Sequence, residues 1–421
     1  MDITTPHATH RTHAYADMYE QYVVDAAFLW ILRANRVNQP DYTREDMATL
    51  EQRIENQLDG LIASMEPGWM ACEAALELQE PGEVFVATVT AMRSHDLLKI
   101  QKAVQAGLAS ERTVHGLVSA LGWLSSEIAR PWIERLLNGK GLQHKYLGVA
   151  ACSVRREDPG EILTNILHRE DCRAHTALYA RALRLIGELR RQDLMPVLIA
   201  AQSSDNATLR FWAGWSVILL GNTVAVKPLQ PYVFKPGPHQ HQAIQLAFRV
   251  LPIDQAREWI STLSQGKNAT RAVITATGVL GDPHAVNWLM TKMADPLLAR
   301  LAGEAFTHIT GIDLAQPPLQ RTSPPEQPLN PNDDPEDADV SMDADDNLPW
   351  PDAEKITALW RHHGSNFIAG QRYFLGQPLT QEGLQHTLTT GYQRQRHAAA
   401  LELALMDPHS RLINTHAKAA P

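Results

Sequence analysis

The sequence is short of cysteine, of long apolar runs and of any recognisable catalytic signature. Cys72, Cys152 and Cys172 are its only cysteines, widely spaced, with no C-x-x-C pair. That excludes a disulfide-stapled fold and reads as three small buried thiols in a reducing compartment. Apolar stretches such as Ala26–Leu32 and Val217–Leu220 fall far short of the ~20 residues a membrane helix needs. The N-terminus shows no charged region followed by an apolar one, so no secretory signal is expected and the protein reads as cytoplasmic. A basic surplus is missing too: 38 Lys and Arg stand against 47 Asp and Glu, a net charge of −9. That disfavours direct nucleic-acid binding, which needs cations to neutralise phosphate. Finally there is no G-x-x-x-x-G-K-[ST], no G-x-G-x-x-G after a strand pattern, no G-x-S-x-G and no H-E-x-x-H. No catalytic residue and no cofactor is therefore expected.

What is present is helical periodicity in a chain that is 44% hydrophobic, enough for a sizeable core. Tyr15–Ala34 places Tyr19, Val23, Ala26, Ala27, Trp30 and Ile31 on one helical face, and Asn38-Gln39-Pro40 interrupts it. A second helix opens at Thr43, with Asp46 three residues on as a variant of the capping box. It buries Met47, Leu50, Ile54, Leu58 and Leu61 and is expected to end at Pro67-Gly68. Residues 1–66 thus read as a helical hairpin.

From Gly68 the chain changes to short helices that end in Leu-Gly-like steps. Gly122 to Gly187 spans 65 residues, Gly187 to Gly221 34, Gly221 to Gly281 60, and Gly281 to Gly311 30. The intervals fit a repeat of 30 to 34 residues, the signature of a solenoid. One unit is readable in Asn268–Gly311. Ala272, Val273, Ala276 and Leu280 form a first face, Gly281-Asp282-Pro283 a turn, and Ala285, Leu289 and Met293 a second face. Leu298, Leu301, Ala302 and Ala305 then open the next unit. Such a unit cannot bury its face alone and must stack on neighbours. The pattern, with Arg300 and Ala305 in place, resembles the short bacterial HEAT-like repeats. The fold class is all-α: a HEAT-like array over residues 67–315.

The acidity is not evenly spread. Glu326, Asp333, Asp334, Glu336, Asp337, Asp339, Asp343, Asp345 and Asp346 lie between Thr322 and Trp350, with no Lys or Arg among them. Removing these nine leaves 38 acids against 38 bases. Nine prolines share the neighbourhood, between Pro317 and Pro351. Residues 316–349 therefore read as an acidic, Pro-rich linker. Its carboxylates are also candidates for a basic partner, which they would steer and hold. Residues 350–421 return to helix, and the tail from His416 is expected to fray.

Other candidate residues weigh less. His7, His10 and His13 have metal-like spacing but sit near the terminus, so no metal site is assigned. His239-Gln-His241 follows Pro236-Gly-Pro238 and reads as a solvated loop, and His362-His363 as a helix C-terminus. In Arg210-Phe-Trp-Ala-Gly-Trp215, Phe211 and Trp215 share one helical face and read as core. Trp212 points elsewhere and is a candidate binding residue.

Several stretches resemble an uncharacterised proteobacterial family of HEAT-like repeat proteins. They are Asp25-Ala-Ala-Phe-Leu-Trp30, the helix Leu50…Arg53…Asn56-Gln-Leu-Asp-Gly-Leu61, Ile309-Thr-Gly-Ile-Asp-Leu314 and Leu348-Pro-Trp-Pro-Asp352. Gly370-Gln-Arg-Tyr-Phe-Leu-Gly-Gln-Pro378 and Gln393-Arg-Gln-Arg-His-Ala-Ala-Ala-Leu-Glu-Leu-Ala404 complete the set. Genes of that family tend to lie near type VI secretion clusters. The resemblance implies a cytoplasmic, non-enzymatic protein that binds and neutralises a cognate effector, as an immunity protein does. If that effector is a nuclease, the acidic segment could imitate nucleic-acid phosphate. An adaptor that loads an effector on the secretion spike is the near alternative, and a HEAT-like DNA glycosylase or a scaffold within the secretion assembly are further ones.

Overall fold

The computed structural model describes residues 7–321 and 343–419, with side chains from Ala16 onward. The chain is all-α and repetitive, and its contacts divide it into two compact units. The first comprises the chain up to Asn38, Tyr42–Leu189, and everything from Arg411. The second comprises Gln39–Asp41 and Arg190–Ser410. These limits differ from those that composition marks at 66, 315 and 349. The segment after the acidic stretch forms no unit of its own.

The first unit holds α1 (His7–Arg36), α2 (Arg44–Ala63), α3 (Met65–Ala75), α4 (Pro81–Ser94), α5 (Leu97–Gly107) and α6 (Glu111–Trp123). It continues with α7 (Ser126–Asn138), α8 (Leu142–Arg155), α9 (Glu161–His168), α10 (Glu170–Ala174) and α11 (Thr176–Leu189). Helices α1, α4, α6, α8 and α11 pack successively side by side, with the helices between them forming a second row. Helix α2 starts as its sequence foretells: Thr43 and Asp46 form a reciprocal capping box, and Met47, Leu50, Ile54, Leu58 and Leu61 are buried. Its end is different. The helix stops at Ala63, and Pro67-Gly68 lies inside the first turns of α3, where a missing N–H costs nothing.

The tail, expected to fray, is tied to this unit through Ala419. Leu412 N–H donates to the Glu188 carbonyl (3.1 Å) and Asn414 Nδ2 to the Val154 carbonyl (2.6 Å). Arg33 donates to the His416 carbonyl (2.8 Å), and Ala419 N–H to the Glu51 carboxylate (2.8 Å). Lys418 pairs with Glu55 and lies 4.6 Å over the Trp123 ring. The physical reason is supply and demand: helix C-termini expose orphan carbonyls, and a passing extended chain satisfies them.

The second unit holds α12 (Met195–Ala201), α13 (Ala207–Leu219), α14 (Gln230–Phe234), α15 (Gln240–Val250), α16 (Ile253–Leu263) and α17 (Thr270–Leu280). After these come α18 (Val286–Lys292), α19 (Ala299–Thr310), α20 (Ala353–His363), α21 (Gln381–Thr390) and α22 (Gln393–Met406). Helices α15, α17 and α19 pack successively. The core of the last repeat is Ile274, Val286, Leu289, Met293, Ala302 and Phe306, and it extends to Ile356 and Trp360 of α20. That is why the chain after the acidic segment belongs with the array.

A hairpin of β1 (Tyr373–Phe374) and β2 (Gln377–Pro378) closes this unit, in antiparallel register Tyr373 to Pro378 and Phe374 to Gln377. Leu375 and Gly376 turn it with φ of 48° and 79°, both positive, as tight hairpins demand. It docks on two repeat-ending glycines. Gly281 and Gly311 end α17 and α19 in the left-handed region, φ 74° and 70°. A Cβ on them would lie 2.3 Å from the Tyr373 carbonyl oxygen and 2.5 Å from that of Leu375. Tyr373 N–H donates to the Gly281 carbonyl (2.8 Å) and Leu375 N–H to the His308 carbonyl (2.7 Å). By contrast, Gly122 and Gly187 lie inside helices α6 and α11. The Leu-Gly step thus lies within two residues of a helix end throughout, but only Gly221, Gly281 and Gly311 take positive φ there.

The acidic segment is closed at its base. Gln320 and Pro351 form an antiparallel bridge, and Arg321 N–H donates to the Trp350 carbonyl (2.9 Å). Its two ends leave and re-enter the same unit side by side, so it is a loop of that unit.

Candidate binding surfaces

Helix α1 turns Tyr19, Val23, Ala26, Ala27 and Trp30 inward. Trp30 stacks on Phe85 at 5.4 Å and donates Nε1–H to Ser119 Oγ (2.8 Å). Ile31, expected on that face, lies about 100° round the helix from Trp30 and is 40% exposed. It completes an outer row with Val24 (57%) and Phe28 (61%), spaced i, i+4, i+7, and with Met18 a little to one side. This row was legible as an excess: apolar residues at 23 and 24, and again at 28 and 29, are more than one buried face accommodates.

Trp212, the aromatic singled out in the sequence, is half-buried in a cluster. Its ring lies 4.9 Å from Phe211, 5.5 Å from Trp215 and 5.9 Å from His239. Phe211 and Trp215 are buried. His239 is not a loop residue facing water: it precedes α15 and stacks flat on Phe211 at 4.3 Å. Desolvation there holds its imidazole below the ordinary histidine value. Tyr232 Oη–H closes the cluster by donating to the Ala207 carbonyl (2.7 Å). Trp212 is braced on several sides, as a rigid contact residue would be.

Of the candidate acids, Glu326, Asp333, Asp334, Glu336, Asp337 and Asp339 lie outside the described residues. So do the side chains of His7, His10 and His13. The other three acids are engaged within the chain. Asp345 is 4% exposed and pairs with Arg271 at 2.8 Å. Burial pushes its carboxyl up despite that guanidinium. Asp343 and Asp346 hold Arg300 at 3.0 and 3.5 Å, and Arg300 lies 4.7 Å over the Trp350 ring. Asp343, Asp345 and Asp346 therefore anchor the end of the acidic loop to α17 and α19. Their basic partners, Arg271 and Arg300, precede them by dozens of residues, so sequence spacing does not reveal the pairing.

A polar cluster on α15, α19 and α22 is the feature that sequence reasoning missed. Arg394 holds Glu304 with 3.0 and 3.1 Å contacts. Glu402, 4% exposed, receives Arg249 (3.2 Å) and Arg372. His241 and His308 are held below the ordinary histidine range, by desolvation first and then by the Arg249 and Arg394 charges. Neutral imidazoles are what this surface presents near pH 7. The sequence signal was the spacing of His241, Gln245 and Arg249, one turn apart on α15. Among the described residues no group of three or more His, Cys, Asp or Glu side chains is arranged to hold a metal. Burial pushes the Cys72 and Cys152 thiols up to about 12, which makes them poor nucleophiles.

Fold and surfaces together define an all-α helical-repeat protein with an exposed apolar row, a braced tryptophan and a polar cluster. Comparison with the profiles of known protein families and with curated proteins gives no match. No helix among the described residues is long and apolar enough to cross a membrane.

Proposed function

We propose that this chain is a non-enzymatic binding protein. Its partner is a protein, and the resemblance to a repeat family near type VI secretion clusters makes a cognate effector the partner of choice. In this reading the chain acts in the cytoplasm as an immunity protein and blocks the effector by occupying its surface. The supporting observation is the outer row of α1. Contiguous exposed apolar side chains on a folded protein mark interaction sites. Helix α1 begins its row of packed helices, with α4 its partner there. Repeat arrays normally end in a polar face, so an apolar one is a departure with a purpose. Trp212 is a second contact in the same reading.

The test is co-expression with the product of the neighbouring gene, followed by affinity capture and titration. Binding should be tight, and the double substitution Val24→Asp, Phe28→Asp should weaken it by about 10- to 100-fold with unchanged helicity. Absence of binding at about 1 µM would sink the proposal. Rescue of growth in cells making the effector separates immunity from loading: an adaptor binds without rescuing.

A further inference from the structure

We propose that the arginine cluster of α8 and α11 in the first unit is a binding site for a compact phosphate-type dianion. Arg181, Arg184 and Glu188 follow at three- and four-residue steps on α11, so they share one face. Arg156, which ends α8, reaches the same carboxylate: its Nη1 lies 3.2 Å from Glu188 Oε2. Arg184 Nε donates to Glu188 Oε1 at 2.8 Å, and Ser153 Oγ also donates to Glu188. Glu188 is completely buried. The cluster so far is a buried carboxylate held by two guanidiniums.

Arg181 is the surplus. Among the described residues it makes no hydrogen bond and no ion pair, and its Nε is closed off from solvent without a partner. Arg156, Arg184 and Arg181 thus all act on the one carboxylate of Glu188, and Arg181 brings a positive charge that Glu188 does not pair with and that an anion would meet. A buried N–H without an acceptor is costly to keep, because that donor has given up water and received nothing. Such groups persist where a ligand completes them. Burial pushes the Arg181 guanidinium down, opposed by Glu188, with Arg184 adding to the push. Planar guanidiniums match the oxygens of a phosphate, which accepts paired N–H donors. This site is independent of the α1 row and of the protein-binding reading.

The test uses the full chain near neutral pH, with inorganic phosphate replacing chloride at constant ionic strength and the melting temperature as readout. A saturable rise with a half-point below about 1 mM is expected. Arg181→Met should shift that half-point at least tenfold, and Arg181→Lys should keep part of the response. Without phosphate, Arg181→Met should melt at or above the wild-type temperature, which separates loss of the site from loss of the fold. A parallel titration with glycerol 3-phosphate identifies the source. A lower half-point than that of inorganic phosphate assigns a phosphate monoester, and a higher one the free ion. A wild-type protein indifferent to both beyond matched chloride overturns the site, and so does an Arg181→Met protein that responds as the wild type does.

Discussion

Glu188 in the first unit and Glu402 in the second are buried carboxylates, each held by two arginines, and their surroundings differ by one guanidinium. Around Glu402 each cation has the carboxylate as its ion-pair partner. Arg372 also donates to the carbonyls of Leu280 (3.0 Å) and Arg249 (2.8 Å), closing the ends of α17 and α15. One side chain thereby joins the hairpin, two repeat helices and α22. Around Glu188 the same work is shared: Arg156 donates to the Leu412 carbonyl of the tail (2.8 Å), and Arg184 completes the pair. Arg181 is left over. A buried ion pair is weak evidence for stability in itself, because desolvation offsets attraction. What it does supply is a strong penalty for removing one member. One cluster is therefore read as a rivet and the other as a rivet beside an unfilled anion site.

The comparison breaks most readily at the carboxylates. Glu188→Gln takes away the anion that three guanidiniums act on, whereas Glu402→Gln takes away that of two. Both should lose stability in urea unfolding within about 3–5 kcal/mol, with Glu188→Gln the greater. The reverse order would mean that Arg181 carries no surplus charge. Truncation after Ser410 removes the tail and should cost the first unit about 2–3 kcal/mol, since hydrogen bonds to charged groups are lost. Hydrogen exchange should show faster opening at the ends of α1, α2 and α8, with α17 and α19 unchanged. Equal loosening in both units would refute the assignment of the tail.

The smallest expected effect is with pH. A histidine held neutral in the fold binds its proton more readily in the unfolded chain, so stability holds above the ordinary histidine value of 6.5 and declines as pH falls below it. His308→Asn should flatten that decline. Glu188 in the first unit behaves differently. Burial would raise it, yet Arg184, Arg156 and Arg181 together hold it below 4.5. Its contribution persists above 4.5 and is lost only as pH falls from there toward the lowered value. Unfolding followed from neutral pH downward should therefore weaken the second unit before the first. Simultaneous loss would show that His241 and His308 are not the groups responsible.

Much of the fold was legible. Thr43 with Asp46, the face of α2 and the turn at Gly281-Asp282-Pro283 all follow from local rules, because helix faces, caps and turns are set within a few residues. The candidate surfaces were legible only in part. Trp212 was visible as an aromatic off the core face, but its bracing by His239 was not, because that contact crosses 27 residues and a Pro-Gly-Pro turn. The paired acids at 343, 345 and 346 read as free charge until Arg271 and Arg300 were placed opposite them.

An all-α repeat chain, its helix starts and faces, and the confinement of its net charge to one proline-laced segment are all written in the order of the residues. Periodicity, capping and composition act locally and need no partner. Folding in three dimensions is what clamps the acidic segment at its base and ties the tail to the first unit. It also decided that one of three neighbouring arginines has no carboxylate. Those outcomes depend on which groups, far apart along the chain, meet once water is removed. Desolvation makes each pairing or its absence matter, and no local pattern records it.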